Sequence, residues 1–184
     1  MSSKLQKFLI KFGIIGTIQF LILVHVAMLL YKGGSIHEPN LEYYSFTTNF
    51  FSDLGRQRLP GGSVNLPAGL IFKATMAITG LCVAVFFMAV PALFKQNGPK
   101  TLAIVAAFFG IVSGLCYVMI GNIPYDVSYW GHTRYVRAGF ISFLLMVIFY
   151  TIAIFTERNY PNRYAWIFVL FGGVLTIQIG VMLL

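Results

Sequence analysis

The chain has 184 residues, of which 58% are hydrophobic and only 10% are charged, whereas soluble domains carry about 25% charged residues. This composition excludes an ordinary soluble domain, and the apolar runs of roughly twenty residues predict an all-α, polytopic membrane protein. Net charge is +8, but the basic residues are scattered over loops and ends, which favours membrane lipids over nucleic acid as partners.

Five transmembrane helices are predicted in a single bundle. A short basic head containing Lys4, Lys7 and Lys11 precedes the first apolar run. That run is longer than the hydrophobic region of a signal peptide and no cleavage site follows it, so we interpret it as an uncleaved membrane helix. The five predicted helices cover residues 8–31, 67–90, 101–120, 134–155 and 164–184.

A polar segment, residues 32–66, separates the first two helices. Its glycines and prolines break helices, and its many aromatic residues are unusual for a disordered linker. We therefore expect an ordered loop that folds back onto the bundle. It contains Asn-Phe-Phe-Ser-Asp-Leu-Gly, from Asn49 to Gly55, followed by Arg56 and Arg58.

A second polar cluster, residues 121–137, follows the third helix. With five helices, the loops after the first and third helices lie on the same side of the membrane, so the two clusters share a face. His25 lies six residues before the end of the first helix, roughly 9 Å beneath that face. Seven basic residues on the amino-terminal side against five on the other place the amino terminus in the cytoplasm and the polar site at the outer interface.

One hypothesis for the shared face is a lipid hydrolase or acyl transferase. His132 is then the general base, Asp126 or Asp53 orients it, and Ser52 or a water attacks the substrate. No G-x-S-x-G motif is present to support it. Arginines on this face would hold a phosphate headgroup. The candidate substrate-binding residues are Asn49, Arg56, Arg134 and Arg137.

A zinc site is a second hypothesis. Imidazole and carboxylate groups are suitable zinc ligands, but no H-x-x-x-H or C-x-x-C spacing supports a metal site here. The candidate ligands are His25, His132, Asp53 and Asp126.

A third hypothesis is non-catalytic and fits a lipid-binding or scaffold protein. Asp53 then pairs with Arg134 or Arg137 and holds the first loop onto the third, with Asp126 as another structural ion-pair partner. The Ser-Asp dipeptide of the first loop would cap a short helix. Lys73, two turns inside the second helix, either snorkels to the interface or pairs with one of the two aspartates.

Small residues inside the helices are predicted to permit close helix packing. These positions are Gly110, Ser113, Gly114, Gly172, Gly173 and Gly180.

The motifs of the two loops resemble those of the DUF998 integral membrane family and the broader Frag1/DRAM/Sfk1 group. The resemblance covers about residues 10–184. It implies a lipid-facing site, since the wider group is associated with lipid remodelling of membrane anchors and with membrane homeostasis. It also implies a sixth helix at the carboxyl end, one more than the five counted here. The shared positions are Ser52, Asp53, Gly55, Pro124, Asp126 and His132.

Overall fold

The computed structural model describes residues 3–183 and is helical, with no β-strand in that part of the chain. Each of the five long helices is long and apolar enough to cross a membrane, so the prediction of an all-α bundle of a multi-pass membrane protein is confirmed. Two short 3-10 helices, Phe51–Gly55 and Val90–Leu93, lie between them. The long helices are α1 (Ser3–Leu30), α2 (Leu66–Ala89), α3 (Asn97–Asn122), α4 (Tyr129–Thr156) and α5 (Asn162–Leu183).

Helix α4 begins five residues earlier than predicted, at Tyr129. Ser128 caps its amino terminus, because the Ser128 hydroxyl accepts the N–H of Gly131 at 3.3 Å. His132 therefore lies in the first turn of a helix instead of in a loop, and Arg134 lies in the second turn instead of at the start of the helix. Hydropathy missed these turns because it marks only the apolar part of a helix.

The helices pack in chain order. The extensive interfaces are those of α1 with α2, α2 with α3, α3 with α4, and α4 with α5. Within residues 3–183, α1 and α5 share no interface of comparable size. The bundle is therefore open on the side between its first and last helices.

The two ends of the bundle differ in their connections. The long-loop side carries residues 31–65 and 123–128, and the short-loop side carries residues 94–96 and 157–161. The loop after α1 folds onto the bundle as expected, because Leu54 and Leu59 are buried against Phe72 and Ile120 of α2 and α3. These residues form one hydrophobic core. A second core lies towards the short-loop side, where the ring of Tyr150 stacks on two phenylalanine rings.

Glu157 holds the short-loop side together. Its carboxylate is 2% exposed and accepts the backbone N–H groups of Lys95 at 3.0 Å and Gln96 at 3.2 Å. The side-chain amides of Gln96 and Asn159 each donate to it at 2.9 Å. Desolvation raises the pKa of Glu157, but these N–H donors outweigh it and lower the pKa to about 2. The carboxylate is thus a structural anion at neutral pH.

Glycine allows close helix contact at the α2–α3 interface. A Cβ atom on Gly114 would lie 2.5 Å from the carbonyl oxygen of Gly80, a separation that a real side chain does not tolerate. The predicted packing role of Gly114 is therefore confirmed. The same prediction is wrong for Gly173 and Gly180, since nothing in the described chain lies within 4 Å of a Cβ at either position. In the described chain the extensive interface of helix α5 is with α4, and these two glycines lie outside it.

We predict that Gly114→Ala destabilises the protein by about 1–3 kcal/mol, because the added methyl group forces α2 and α3 apart. Gly173→Ala is the matched control, and it should leave stability unchanged or raise it by up to about 1 kcal/mol, as alanine favours helix more than glycine. Thermal unfolding in mild detergent measures both. Equal melting temperatures for the two variants would contradict the close approach.

Candidate functional site

Asp53 closes the loop that follows α1. Its side chain is 2% exposed, and Oδ2 accepts the N–H of Phe50 at 2.9 Å and the side-chain amide of Asn49 at 3.2 Å. Asn49 also donates to the carbonyl of Gly34 at 3.1 Å. Oδ1 lies 3.4 Å from Nη1 of Arg56. Asn49 and Asp53 are therefore structural residues of the loop, and neither carboxylate oxygen is left to act on a substrate.

The predicted pairing of Asp53 with Arg134 or Arg137 is wrong. The partner is Arg56, and this is the only salt bridge within residues 3–183. The short 3-10 helix explains the choice, because it places residues three apart on the same side. Arg56 also lies over the ring of Tyr125, 5.8 Å from the ring centroid.

Asp126 joins the two polar loops. Both of its carboxylate oxygens lie 3.1 Å from the backbone nitrogen of Gln57, and Oδ2 accepts the N–H of Arg58 at 2.9 Å. The two polar clusters therefore meet on one face, as the topology predicts. The expectation that Asp126 is an ion-pair partner is corrected, since in the described chain its acceptors are taken by backbone N–H groups.

Two further motif residues shape the loops. A Cβ on Gly55 would lie 2.5 Å from Cδ1 of the Phe72 ring, so only glycine fits there. The carbonyl of Pro124 accepts the N–H groups of Val127 and Ser128 at 3.1 and 3.0 Å, which forms the turn that leads into α4. Four of the six motif positions therefore serve the architecture. They are Asp53, Gly55, Pro124 and Asp126.

His132, on α4, is oriented by the backbone instead of an aspartate. Its ring is 4% exposed, and Nδ1 lies 2.7 Å from the carbonyl oxygen of Ile123. A carbonyl oxygen only accepts, so Nδ1 carries the hydrogen. The expected Asp–His pair does not form with either Asp53 or Asp126. The other ring nitrogen, Nε2, is buried and has no hydrogen-bond partner within the described residues.

A cavity of about 700 Å³ lies among the five helices, beneath the loop that follows α1. Most of its lining is apolar and comes from the inner faces of α1, α2 and α4. Three residues predicted for the site, Ser52, His132 and Arg137, line it. Within residues 3–183 the Ser52 hydroxyl has no hydrogen-bond partner, and it makes no bond to Nε2 of His132.

Arg137 is the cation of this cavity. It lies five residues after His132 on α4, roughly 12 Å from the start of the helix. Its Nε atom is buried without a partner in the described chain, and no aspartate or glutamate lines the cavity. An uncompensated arginine inside a membrane helix is costly, which makes Arg137 a candidate functional residue.

Gln178 on α5 was not predicted. Its side chain lines the same cavity as Arg137 and makes no hydrogen bond within residues 3–183. An amide in the apolar, carboxyl-terminal part of a helix is a sequence signal that could have identified it.

The remaining candidates lie elsewhere. Arg134 is exposed and does not line the cavity. His25 is exposed on α1, where Nδ1 lies 2.7 Å from the carbonyl oxygen of Leu21. Lys73 is exposed and unpaired in the described chain, in agreement with snorkelling to the interface.

The predicted zinc ligands are not brought together. Among residues 3–183, no three His, Cys, Asp or Glu side chains are grouped closely enough to hold a metal ion. His25 is exposed, while Asp53 and Asp126 are occupied by N–H donors. The zinc hypothesis therefore has no ligand set in this part of the chain.

No protein-family model, curated protein or solved structure compared with this chain matches it. The resemblance of its loop motifs to the DUF998 family stays a prediction.

We predict that Asp53→Ala destabilises the protein by about 2–4 kcal/mol, because it leaves the Phe50 N–H, the Asn49 amide and Arg56 without their acceptor. Asp53→Asn should lose less, since its amide oxygen still accepts the Phe50 N–H. Thermal unfolding in detergent measures both variants against Glu42→Ala, which removes an exposed loop carboxylate. If Asp53→Ala unfolds at the same temperature as Glu42→Ala, Asp53 does not hold the loop.

Proposed function

We propose that this protein binds an anionic membrane lipid in the cavity beneath the first loop, with the headgroup held by Arg137 and His132. One observation carries the proposal. Nε of Arg137 and Nε2 of His132 are both buried without protein partners in the described chain, and both residues line a cavity that has no acidic side chain.

Electrostatics favours an anion at this position. A guanidinium group in a low-dielectric site requires a counter-charge, and carboxylate or phosphate oxygens match its N–H groups in pairs. Nε2 of His132 would accept a hydroxyl hydrogen from the same headgroup, or donate when the ring is protonated. The free amide of Gln178 adds a further polar contact on α5.

The rest of the cavity suits an acyl chain. Its apolar lining includes Phe20, Phe72, Met76 and Phe140. A volume of about 700 Å³ lies within the range of roughly 300–1,000 Å³ that ligand sites occupy. The open side of the bundle between α1 and α5 supports entry of a lipid directly from the bilayer.

The orientation of the chain in the membrane and the resemblance of its loop motifs are both consistent with a lipid ligand. With the amino terminus in the cytoplasm, as the basic residues favour, the cavity and the long loop belong to the outer half of the membrane. The lipid association of the Frag1/DRAM/Sfk1 group, which the loop motifs resemble, supports the same class of ligand.

We predict that Arg137→Gln lowers the affinity for an anionic lipid about tenfold to a hundredfold, the loss expected for hydrogen bonds to a charged group. Native mass spectrometry in mild detergent measures bound dioleoylphosphatidylglycerol. Arg134→Gln is the matched control, because it removes an exposed charge from the same helix outside the cavity. Equal lipid occupancy in the wild type and Arg137→Gln would reject this site.

A lipid hydrolase or acyl transferase is the second candidate function. It is favoured by Ser52 and His132 lining the same cavity. In that reaction, the Ser52 oxygen attacks the ester carbonyl of a lipid while Nε2 of His132 takes its proton. The alcohol then leaves with that proton, and water or a second alcohol releases the acyl group from Ser52. The Ile123 carbonyl would orient the imidazole in place of an aspartate.

We predict for this candidate that Ser52→Ala abolishes the release of lysolipid from phosphatidylglycerol in proteoliposomes but leaves lipid binding intact. His132→Gln should abolish release as well, because no base remains at Nε2. Mass spectrometry of extracted lipids over time is the measurement, with Thr47→Ala as a control outside the cavity. Turnover by Ser52→Ala at the wild-type rate, or no turnover by the wild type, would leave binding alone as the function.

A further inference from the structure

A second concave surface lies on the long-loop side, where the first loop meets α2 and α3. It encloses about 340 Å³ and is lined by Arg56, Arg58 and Lys73, with no aspartate or glutamate among its lining residues. We propose that this basic groove binds the phosphate of an anionic phospholipid headgroup from the surrounding bilayer. The site lies outside the cavity of the proposed function and holds a different lipid molecule.

The two arginines are held in place by the loop itself. Nε of Arg56 donates to the carbonyl of Arg58 at 3.1 Å, and Nη1 of Arg58 donates to the carbonyl of Gly62 at 3.1 Å. Gly62 has a φ of +87° in this turn, a conformation that favours glycine. These bonds use backbone acceptors and leave the positive charge of Arg58 uncompensated. The groove is therefore organised before any ligand arrives.

Two of the three cations that line the groove, Arg58 and Lys73, have no ion-pair partner in the described chain. Asp53 is buried and accepts two N–H donors in addition to its contact with Arg56. Asp126 accepts the backbone N–H groups of Gln57 and Arg58 and is not part of the lining.

The depth of the groove favours a headgroup phosphate. Lys73 is level with the end of α3, since a Cβ on Gly121 would lie 3.2 Å from the carbonyl oxygen of Lys73. Helix ends of this kind lie at the headgroup region of a bilayer, where a lysine side chain extends towards lipid phosphates. Both the basic lining of the groove and its position at the level of the helix ends therefore favour a phospholipid headgroup.

The groove and the cavity are separable by mutation. They share no lining residue, and the short 3-10 helix Phe51–Gly55 lies at their boundary. Arg58→Gln and Lys73→Gln therefore change the groove alone, whereas Arg137→Gln changes the cavity alone. Arg56 is left unchanged because it also contacts Asp53 and Tyr125.

The experiment is a lipid titration by native mass spectrometry, using the full chain that carries Arg137→Gln. The probes are dioleoylphosphatidylglycerol, dioleoylphosphatidylcholine and inorganic phosphate. We expect phosphatidylglycerol to bind at least fivefold more tightly than phosphatidylcholine. Lys73→Gln and Arg58→Gln should each weaken phosphatidylglycerol binding about fivefold, the effect of one basic residue near an anionic lipid, and Lys73→Arg should restore it. Arg134→Gln, the matched surface control, should leave it unchanged.

Three results would overturn the proposal. These are equal affinity for the two lipids, an effect of Arg134→Gln as large as that of Lys73→Gln, and binding of inorganic phosphate as tight as that of phosphatidylglycerol. The last would assign the groove to a free anion. Two results together would support the groove and reject the cavity. Lys73→Gln and Arg58→Gln would each weaken phosphatidylglycerol binding about fivefold as expected, while Arg137→Gln alone would leave the amount of bound lipid unchanged.

Discussion

The buried carboxylate of Asp53 is the constraint on which the long-loop side depends. A carboxylate as buried as that of Asp53 is stable only with donors around it, and the chain supplies them from Asn49, Phe50 and Arg56. These contacts stabilise the 3-10 helix Phe51–Gly55 and fix the direction of the residues beside Asp53. Phe50, Phe51 and Ser52 thereby cover the membrane cavity. A change at Asp53 would alter the cavity without touching any ligand.

The same use of acidic residues explains why the cavity is basic. Asp126 accepts backbone N–H groups of the first loop. The imidazole of His132 is oriented by the Ile123 carbonyl, which accepts its Nδ1–H. In the described chain no aspartate or glutamate lines the cavity around Arg137. Asp53 and Asp126 accept structural hydrogen bonds outside the cavity, and this supports the proposal of an anionic ligand.

The hydropathy of the sequence predicted the five spans, and the number of spans predicted that the two polar loops share a face. Both predictions rest on properties summed along the chain and need no knowledge of individual side-chain contacts. Partner choice could not be predicted in this way. Asp53 pairs with Arg56 instead of Arg134 or Arg137, because the 3-10 turn places Asp53 and Arg56 on the same side. His132 lies on a helix because Ser128 caps the start of α4 before it. Gln178 was missed because its role depends on which face of α5 meets the cavity.

The two ends of the bundle differ in how their ionisable side chains are satisfied. On the short-loop side, Glu157 is saturated with donors and its pKa is lowered to about 2, while stacked rings fill the core beside it. The ionisable group at this end is satisfied internally, and within residues 3–183 the buried atom without a partner there is the neutral hydroxyl of Tyr150. On the long-loop side, Arg137 and His132 retain unpartnered atoms in the described chain. The contrast between the satisfied carboxylate of Glu157 and the unpartnered atoms of Arg137 and His132 is what supports the proposal of an anionic ligand on the long-loop side.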